Sequence, residues 1–538
     1  MVANYNVDAI LEKVGGLGKY QWLQVLLICS GPFISSCHLL AIVFHSILPD
    51  HRCKIPDYAN DTYFPFNEVH NQSIYQWIPV DEDGALSSCK IYNSSNGIMN
   101  NQTADFCKEY VFDKSVHTGV TLIEEFGMFC DQLWISTAVK VASTSGLLVG
   151  SLTMGPLADR YGRRLTIIGA YFTAGIAGVL ASFSLNYYMF AALRFIITSC
   201  LVGALVISHI MVMEITGPSL RVYAVAVQSL FWPSGVVFTS VLAYYVQDWN
   251  WFQLIISIIP IAVGFSFIVF LKETPHFLII NGQIEEAEAL FKHIASKNGK
   301  HTVERFIEEV KEESNTPKTD KLRVILQAPV LFKRTLLLFY LWFVVGLSYY
   351  GLSFNVSNHA GSIYVNNVIL SGLPDLPSIV FVLLSQRLGR KCITIFNLSL
   401  GAISLISSSF LIVYMDLTKY YYVIIIVSML GKLGISAVFT FAYFWSMEIY
   451  PTTLRSTLIG LSSLAARIGT LLSPVIVDLN LHVETVFGPG LAALVFGIAM
   501  LLGAFSSYFL PETNKKKIPE TIEEANMFMA KGQYQNIL

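Results

Sequence analysis

A ten-residue hydrophilic stretch, Gly155-Pro-Leu-Ala-Asp159-Arg160-Tyr-Gly162-Arg163-Arg164, lies between two long apolar runs, Leu133–Met154 and Leu165–Phe183. Runs of about 20 apolar residues cross a bilayer as helices. Two such helices joined by so short a basic connection form a hairpin, and Lys/Arg-rich short connections stay on the cytoplasmic side. The stretch has an echo at Gln386-Arg387-Leu-Gly389-Arg390-Lys391, again between apolar runs. Met213-Glu214-Ile215…Leu220-Arg221 returns as Met447-Glu448-Ile449…Leu454-Arg455, and Lys272-Glu273-Thr274 is answered by Pro511-Glu512-Thr513. Basic loops after apolar helices would explain the arginines but not the paired glutamates. Ordered matches of this kind indicate a parallel duplication of membrane halves.

Composition agrees. The chain has 538 residues, 54% hydrophobic and 13% charged, where soluble proteins carry about 25% charged residues. The fold class is therefore an all-α membrane protein of twelve transmembrane helices in two six-helix halves. The first six spans fall near 21–46, 133–156, 165–183, 187–212, 222–246 and 251–271. The second six fall near 335–354, 362–385, 392–414, 420–446, 456–477 and 487–510. The short connections on one side carry Arg160, Arg163, Arg164, Arg387, Arg390 and Lys391, whereas those on the other carry only Lys419. Both termini are expected in the cytoplasm. Met1–Tyr20 contains Asp8, Glu12 and Lys13 and does not read as a cleavable signal.

The expected organisation is a cytoplasmic N-terminus (1–20), a first half (21–271) with an extracellular loop at 48–131, a cytoplasmic helical linker (272–334), a second half (335–510) and a cytoplasmic tail (511–538). The extracellular loop holds N-x-Ser/Thr sequons at Asn60, Asn71, Asn93 and Asn101, and cysteines Cys53, Cys89, Cys107 and Cys130. Glycosylation and two disulfides are expected, with three connectivities open. In the linker, Ile284–Asn298 reads as an amphipathic helix and a second is expected over 302–313. The tail, with Lys515–Lys517, reads as a solvated segment at the inner leaflet.

Several classes are excluded. A net charge of −2 offers nothing to nucleic acid, and no G-x-x-x-x-G-K-[ST] loop appears, so ATP-driven transport is not expected. His38, His45 and His209 stand apart in spans without metal-ligand spacing or a nucleophile beside them. No enzyme activity, cofactor or metal is expected.

Twelve spans, two parallel halves and the Gly155–Arg164 stretch resemble the major facilitator superfamily. The match narrows at Pro49-Asp-His-Arg-Cys53, at Glu273-Thr-Pro-His-Phe-Leu…Gly282…Glu285-Glu286-Ala287, and at Tyr349-Tyr350-Gly351-Leu352. It narrows further at Gly431-Lys432, Glu448-Ile-Tyr-Pro-Thr452…Arg455, and Leu510-Pro-Glu-Thr513…Pro519-Glu-Thr-Ile522. Together these resemble the organic ion transporter family of organic cation, organic anion and carnitine carriers, nearest its carnitine and organic cation branch. His276 departs from the arginine usual in such relatives.

An ionisable side chain inside a span costs a few kcal/mol and faces the protein interior. Arg467 stands mid-span in Ser462-Ser-Leu-Ala-Ala-Arg467-Ile-Gly469. By resemblance, cation-selective members place an acid there, whereas anion and carnitine carriers place arginine. A guanidinium holds a carboxylate bidentately and keeps its charge. The alternative is that Arg467 pairs with an internal acid such as Asp375. The resemblance also marks Asp375 in Leu373-Pro374-Asp375-Leu376-Pro377, Lys432, and an aromatic lining of Tyr349, Tyr350, Phe439, Tyr443 and Trp232. Ile379 stands where anion carriers tend to carry lysine. Lys140 is either a further cavity charge or an interfacial one.

The loop charges are expected to serve the conformational cycle. Asp159, Arg160, Arg163, Arg164, Arg387 and Arg390, with the pairs Glu214/Arg221 and Glu448/Arg455, are expected to form cytoplasmic ion pairs that break as the carrier opens inward. The resemblance thus implies a polyspecific plasma-membrane carrier working by alternating access. Its expected partners are small organic ions, a coupling ion or counter-substrate, and the lipid bilayer. Organic cations or zwitterions such as carnitine come first and organic anions second. A non-transporting membrane sensor is the alternative from another class.

Overall fold

In the computed structural model the basic stretch between spans 2 and 3 is scarcely a loop. Helix runs unbroken from Leu133 to Tyr161, Gly162 alone departs, at φ 98°, and the next helix begins at Arg163. Gly389 does the same between spans 8 and 9, at φ 92°. Only a residue without a Cβ takes this conformation cheaply. The expected ten-residue loop is thus corrected to a one-residue turn: the charged residues continue their helices, with Asp159 paired to Arg163 across the first turn and Arg390 bonded to Ser385 across the second.

The structure describes residues 7–300, 325 and 328–527, apart from 57, 59, 81–85, 96–97, 416, 452–453, 482–487, 515, 517–518 and 520–521. The expected helix at 302–313 lies outside these residues. Eleven described helices are long and apolar enough to span a bilayer. The eighth segment completes the twelve as a broken helix: Ile363–Asn367, a widened turn at Val368–Gly372, and Asp375–Leu388. Pro374 at the break lacks the N–H that would continue the ladder. Several other spans overrun the expected bounds, span 10 extending over Leu417–Ile449.

The long excursion between spans 1 and 2 is a small domain with strands, which a helical reading does not supply. His51–Cys53 pairs antiparallel with Tyr110–Phe112, and Lys90–Ser95 with Ile98–Phe106. The disulfides join Cys53 to Cys107 and Cys89 to Cys130. At its centre Asp61 accepts hydrogen bonds from Arg52, His70 and the Ile55 N–H. Burial opposes ionisation of this carboxyl, but these donors outweigh it and hold its pKa below the usual range. Asn60 and Asn71 are exposed; the side chains of Asn93 and Asn101 lie outside the described set.

At the opposite face, the linker helix Ile284–Asn298 forms as expected and ends at Gly299, φ 66°. A short helix, Val7–Lys13, packs on it through Val7, Ile10, Leu11 and Val14 against Ala287, Phe291 and Ile294. The disulfide face and the arginine face are thus at opposite ends of the spans.

Candidate functional site

Span 7 is the spine of the site. Gly346 lets it approach span 11 backbone to backbone, since a Cβ there would strike Ala466. One turn on, Tyr349 and Tyr350 set their rings edge to face with centroids 5.3 Å apart. Tyr349 packs on Phe439 at 5.2 Å, Phe439 on Tyr443 at 6.2 Å, and Tyr443 on Trp342 at 4.4 Å. Trp232, from span 5 of the other half, lies against the Tyr349 hydroxyl. The aromatic residues singled out in the sequence therefore form one cluster.

The charges meet on the same spine. Asp375 is the first residue of the helix after the break in span 8, where a carboxylate is favoured by the unsatisfied N–H groups of the helix start. Tyr349 donates its hydroxyl to Asp375 Oδ2 at 2.8 Å. Lys432, 1% exposed, donates Nζ to the Tyr349 carbonyl and to Ser353 Oγ, both at 2.6 Å. The same ammonium lies 3.3 Å from the Tyr349 ring centre and acts on Asp375. Asp375 and Lys432 thus compensate one another.

Arg467 differs. It is 6% exposed, so it does not face lipid, and its Nε has no hydrogen-bond partner. It neighbours the Tyr350 hydroxyl. Among the described residues no acid forms an ion pair with it, and the carboxylate considered for that role, Asp375, is engaged by Tyr349. The cluster carries one uncompensated positive charge.

At the arginine face the ion pairs run within each half. Arg163 Nη2 reaches Glu214 at 3.3 Å and Asp159 at 3.0 Å, and Arg390 Nη2 reaches Glu448 at 3.2 Å. In this structure, which is closed at the disulfide face, Glu214 is not paired with Arg221, nor Glu448 with Arg455, the pairs expected for the outward-open form. Arg221 instead reaches Asp8 at 2.5 Å, brought there by the docked N-terminal helix, and Arg455 donates to the Tyr450 carbonyl. His276 stands 3.8 Å from Glu214. Arg164 donates its N–H to Glu273, Arg160 lies over Tyr161, and Arg387 is exposed. Burial pushes the Glu273 carboxyl above its ordinary range, against the N–H groups of Thr274 and Arg164.

The contacts that cross between halves gather at the disulfide face. Lys140 reaches Asp478 at 2.9 Å, Thr137 donates to the same carboxylate at 2.7 Å, and Asn367 donates to Ser240 at 2.9 Å. Lys140 is therefore an inter-half ion-pair partner rather than an interfacial charge. Sequence reasoning passed over Asp478, which ends its helix beside a short loop. It also passed over Arg194, fully buried in span 4 and bonded to the His38 carbonyl at 2.6 Å. The rule that marked Arg467, an ionisable residue inside a span, applies to Arg194 equally.

Comparison with known proteins agrees with this architecture. The chain is 28% identical to "Organic cation transporter protein" of Drosophila melanogaster, over 97% of this chain and 94% of that protein. It is 28% identical to "Solute carrier family 22 member 6-A" of Xenopus laevis, over 96% and 93%. It is 29% identical to "Solute carrier family 22 member 7" of Homo sapiens, over 96% and 95%. Among solved structures, a partially occluded inward-open form of the xylose transporter XylE from E. coli superposes with a TM-score of 0.60 at 14% identity, covering 93% of this chain and 99% of that one. The family model "Major Facilitator Superfamily" matches residues 121–474. Duplicated halves, a broken helix beside a charged aromatic cluster, and this match lead to one statement: the chain is a transporter, not an enzyme, and belongs to the major facilitator superfamily.

Proposed function

We propose that the protein is a plasma-membrane carrier of small organic ions that bear a carboxylate, working by alternating access with both termini in the cytoplasm. The observation that carries this reading is Arg467: buried, beside Tyr350 and without an acid. A buried guanidinium gains most from a bidentate carboxylate. The organic body of the substrate packs on Tyr349, Tyr350, Phe439, Tyr443 and Trp232, whose rings accept varied apolar shapes and attract an ammonium group by cation–π contact. An ammonium carboxylate such as carnitine uses both features.

One observation favours a plain organic anion as the second reading. Asp375, the acid that would greet an ammonium, is held by the Tyr349 hydroxyl and balanced by Lys432. The names of the relatives include an organic cation transporter and members of solute carrier family 22. A coupling ion or counter-substrate completes the cycle. The alternating step is a rocking of the halves about the central cluster, with Asp159, Glu214, Glu448 and the turn arginines stiffening the cytoplasmic ends. In this orientation the loop domain is extracellular, and Asn60 and Asn71 are accessible to glycosylation.

Parallel uptake of labelled carnitine, p-aminohippurate and tetraethylammonium, with and without Arg467→Asp, tests the reading. Carboxylate uptake is expected in the parent and lost in the variant. Tetraethylammonium entering faster than either carboxylate, or carboxylate uptake surviving the substitution, refutes it.

A further inference from the structure

The disulfide face closes around one side chain. Tyr364 lies in Ile363–Asn367, the short helix that opens span 8, so it belongs to the second half. Its ring nevertheless sits in a socket built by the first. It stacks on Phe44 at 5.8 Å and 11°, meets Tyr244 edge-on at 5.5 Å, and packs with Ala41, Ala243 and Phe252. The space left beside it is about 10 Å³, at the lower limit for a single water. The Tyr364 hydroxyl is 2.8 Å from Nδ1 of His117.

His117 is carried by the loop domain, not by a span. Its segment is stapled to the turn between spans 5 and 6. Thr118 donates both N–H and hydroxyl to Gln247 Oε1, the Val120 N–H donates to Asp248, and Trp249 Nε1 donates to Glu125. Lys114 ties the segment to itself through the Gly119 carbonyl and Glu124. This holds the His117 imidazole, 7% exposed, over the socket.

We propose that Tyr364 is the bolt of the outer gate and His117 its proton-sensitive catch, so that extracellular acid favours the outward-open carrier. The proposal rests on the alternating-access reading above. In the closed gate the imidazole faces Lys114 on its own loop, Asp248 and the Gln247 backbone on the span 5–6 turn, and Tyr364 from span 8. Burial first, and then the Lys114 cation, lower its pKa, while Asp248 and the Gln247 carbonyl oppose the shift. The closed state therefore holds neutral His117. Withdrawing Tyr364 opens the socket to water, relieves the burial and moves the His117 ring back toward its ordinary pKa of about 6.5. The open state then binds the proton more tightly than the closed one. Closure is fully favoured above that value and weakens as external pH falls through it.

The test uses the full-length carrier in sealed cells without substrate. Ser240, which receives Asn367 in the closed gate and is 2% exposed, is replaced by cysteine. Its labelling by a membrane-impermeant maleimide is measured at external pH of about 7.5 and about 5.5, relative to Gln76→Cys on the exposed loop domain. Acidification is expected to raise the normalised rate up to about ten-fold, the protonated-to-neutral ratio of a free imidazole one unit below its pKa. Adding His117→Gln keeps a polar side chain without titration and abolishes the rise. Adding Tyr364→Phe keeps the ring and speeds labelling about five-fold at the higher pH, the worth of one hydrogen bond. A rise that persists with His117→Gln, or no rise in the parent, overturns the proposal. Because no substrate is present, that failure leaves the Arg467 reading standing.

Discussion

In the first half, Glu214 receives the Arg163 guanidinium at 3.3 Å and the Thr274 hydroxyl at 2.5 Å. In the second, Glu448 receives Arg390 at 3.2 Å and Thr513 at 2.5 Å. Glu273 accepts the N–H of Arg164, and Glu512 accepts those of Arg390 and Lys391, each at 3.0 Å. The likeness extends past the spans. Ile284-Glu-Glu-Ala287 returns as Ile522-Glu-Glu-Ala525. Asn298 accepts the Tyr20 N–H at the start of span 1, and Asn526 accepts the N–H groups of Val330 and Leu331 at the start of span 7.

The middle of the membrane shows the opposite. In the register that aligns Glu214 with Glu448 and Arg221 with Arg455, Arg467 falls opposite Pro233 and Lys432 opposite Thr198. The charges of the central cluster all come from the second half, while the first contributes Trp232. The two halves thus match at the turns that join one helix to the next and differ at the central cluster.

The largest test of this contrast is Arg467→Ala against Trp232→Ala. Loss of a charge-assisted contact worth about 2 kcal/mol predicts about thirty-fold slower uptake of a carboxylate substrate for the first. The aromatic truncation should cost only a few-fold, and equal losses in initial-rate assays would dissolve the asymmetry. Next come Glu214→Gln and Glu448→Gln, which strip matching acids from partly buried pairs. Each should lower stability by about 1–3 kcal/mol, below the 3–5 of a fully buried pair. Melting temperatures in detergent should fall alike, and a fall in one variant only would break the repeat. Asn298→Ala and Asn526→Ala, which stand at different places in the repeat, each remove a cap worth about 1 kcal/mol, read by the same melts. Smallest in stability is Asp159→Asn: that carboxylate is 74% exposed, so under about 0.5 kcal/mol is expected. Gln386 occupies its place in the second half, so any slowing of translocation with substrate binding intact would be a property of the first half alone.

Much of this was legible in the residues. The turn arginines and their glutamates declared the duplication, and the aromatic cluster with Asp375, Lys432 and Arg467 gathers on span 7. What the residues concealed were choices between partners. Arg221 lies in the chain close to Glu214 but reaches Asp8, because docking of Val7, Ile10, Leu11 and Val14 carries that acid to it. The helix Val7–Lys13 that carries most of those residues was not singled out in the sequence, because its acids and lysine marked the segment only as polar. Lys140 and Asp478 meet only because the halves lean together at one end, and strand pairing in the loop domain depends on which cysteines join.

The break in span 8 has a mechanical corollary. Above it, Tyr364 and Asn367 are lodged in the first half; below it, Asp375 is tethered to span 7 of the second. One short run of chain therefore straddles the seam, like a strap fastened to both leaves of a hinge. Any movement of one leaf against the other must therefore bend, stretch or release this run, whose ends are held at Ser240 and at the Tyr349 hydroxyl.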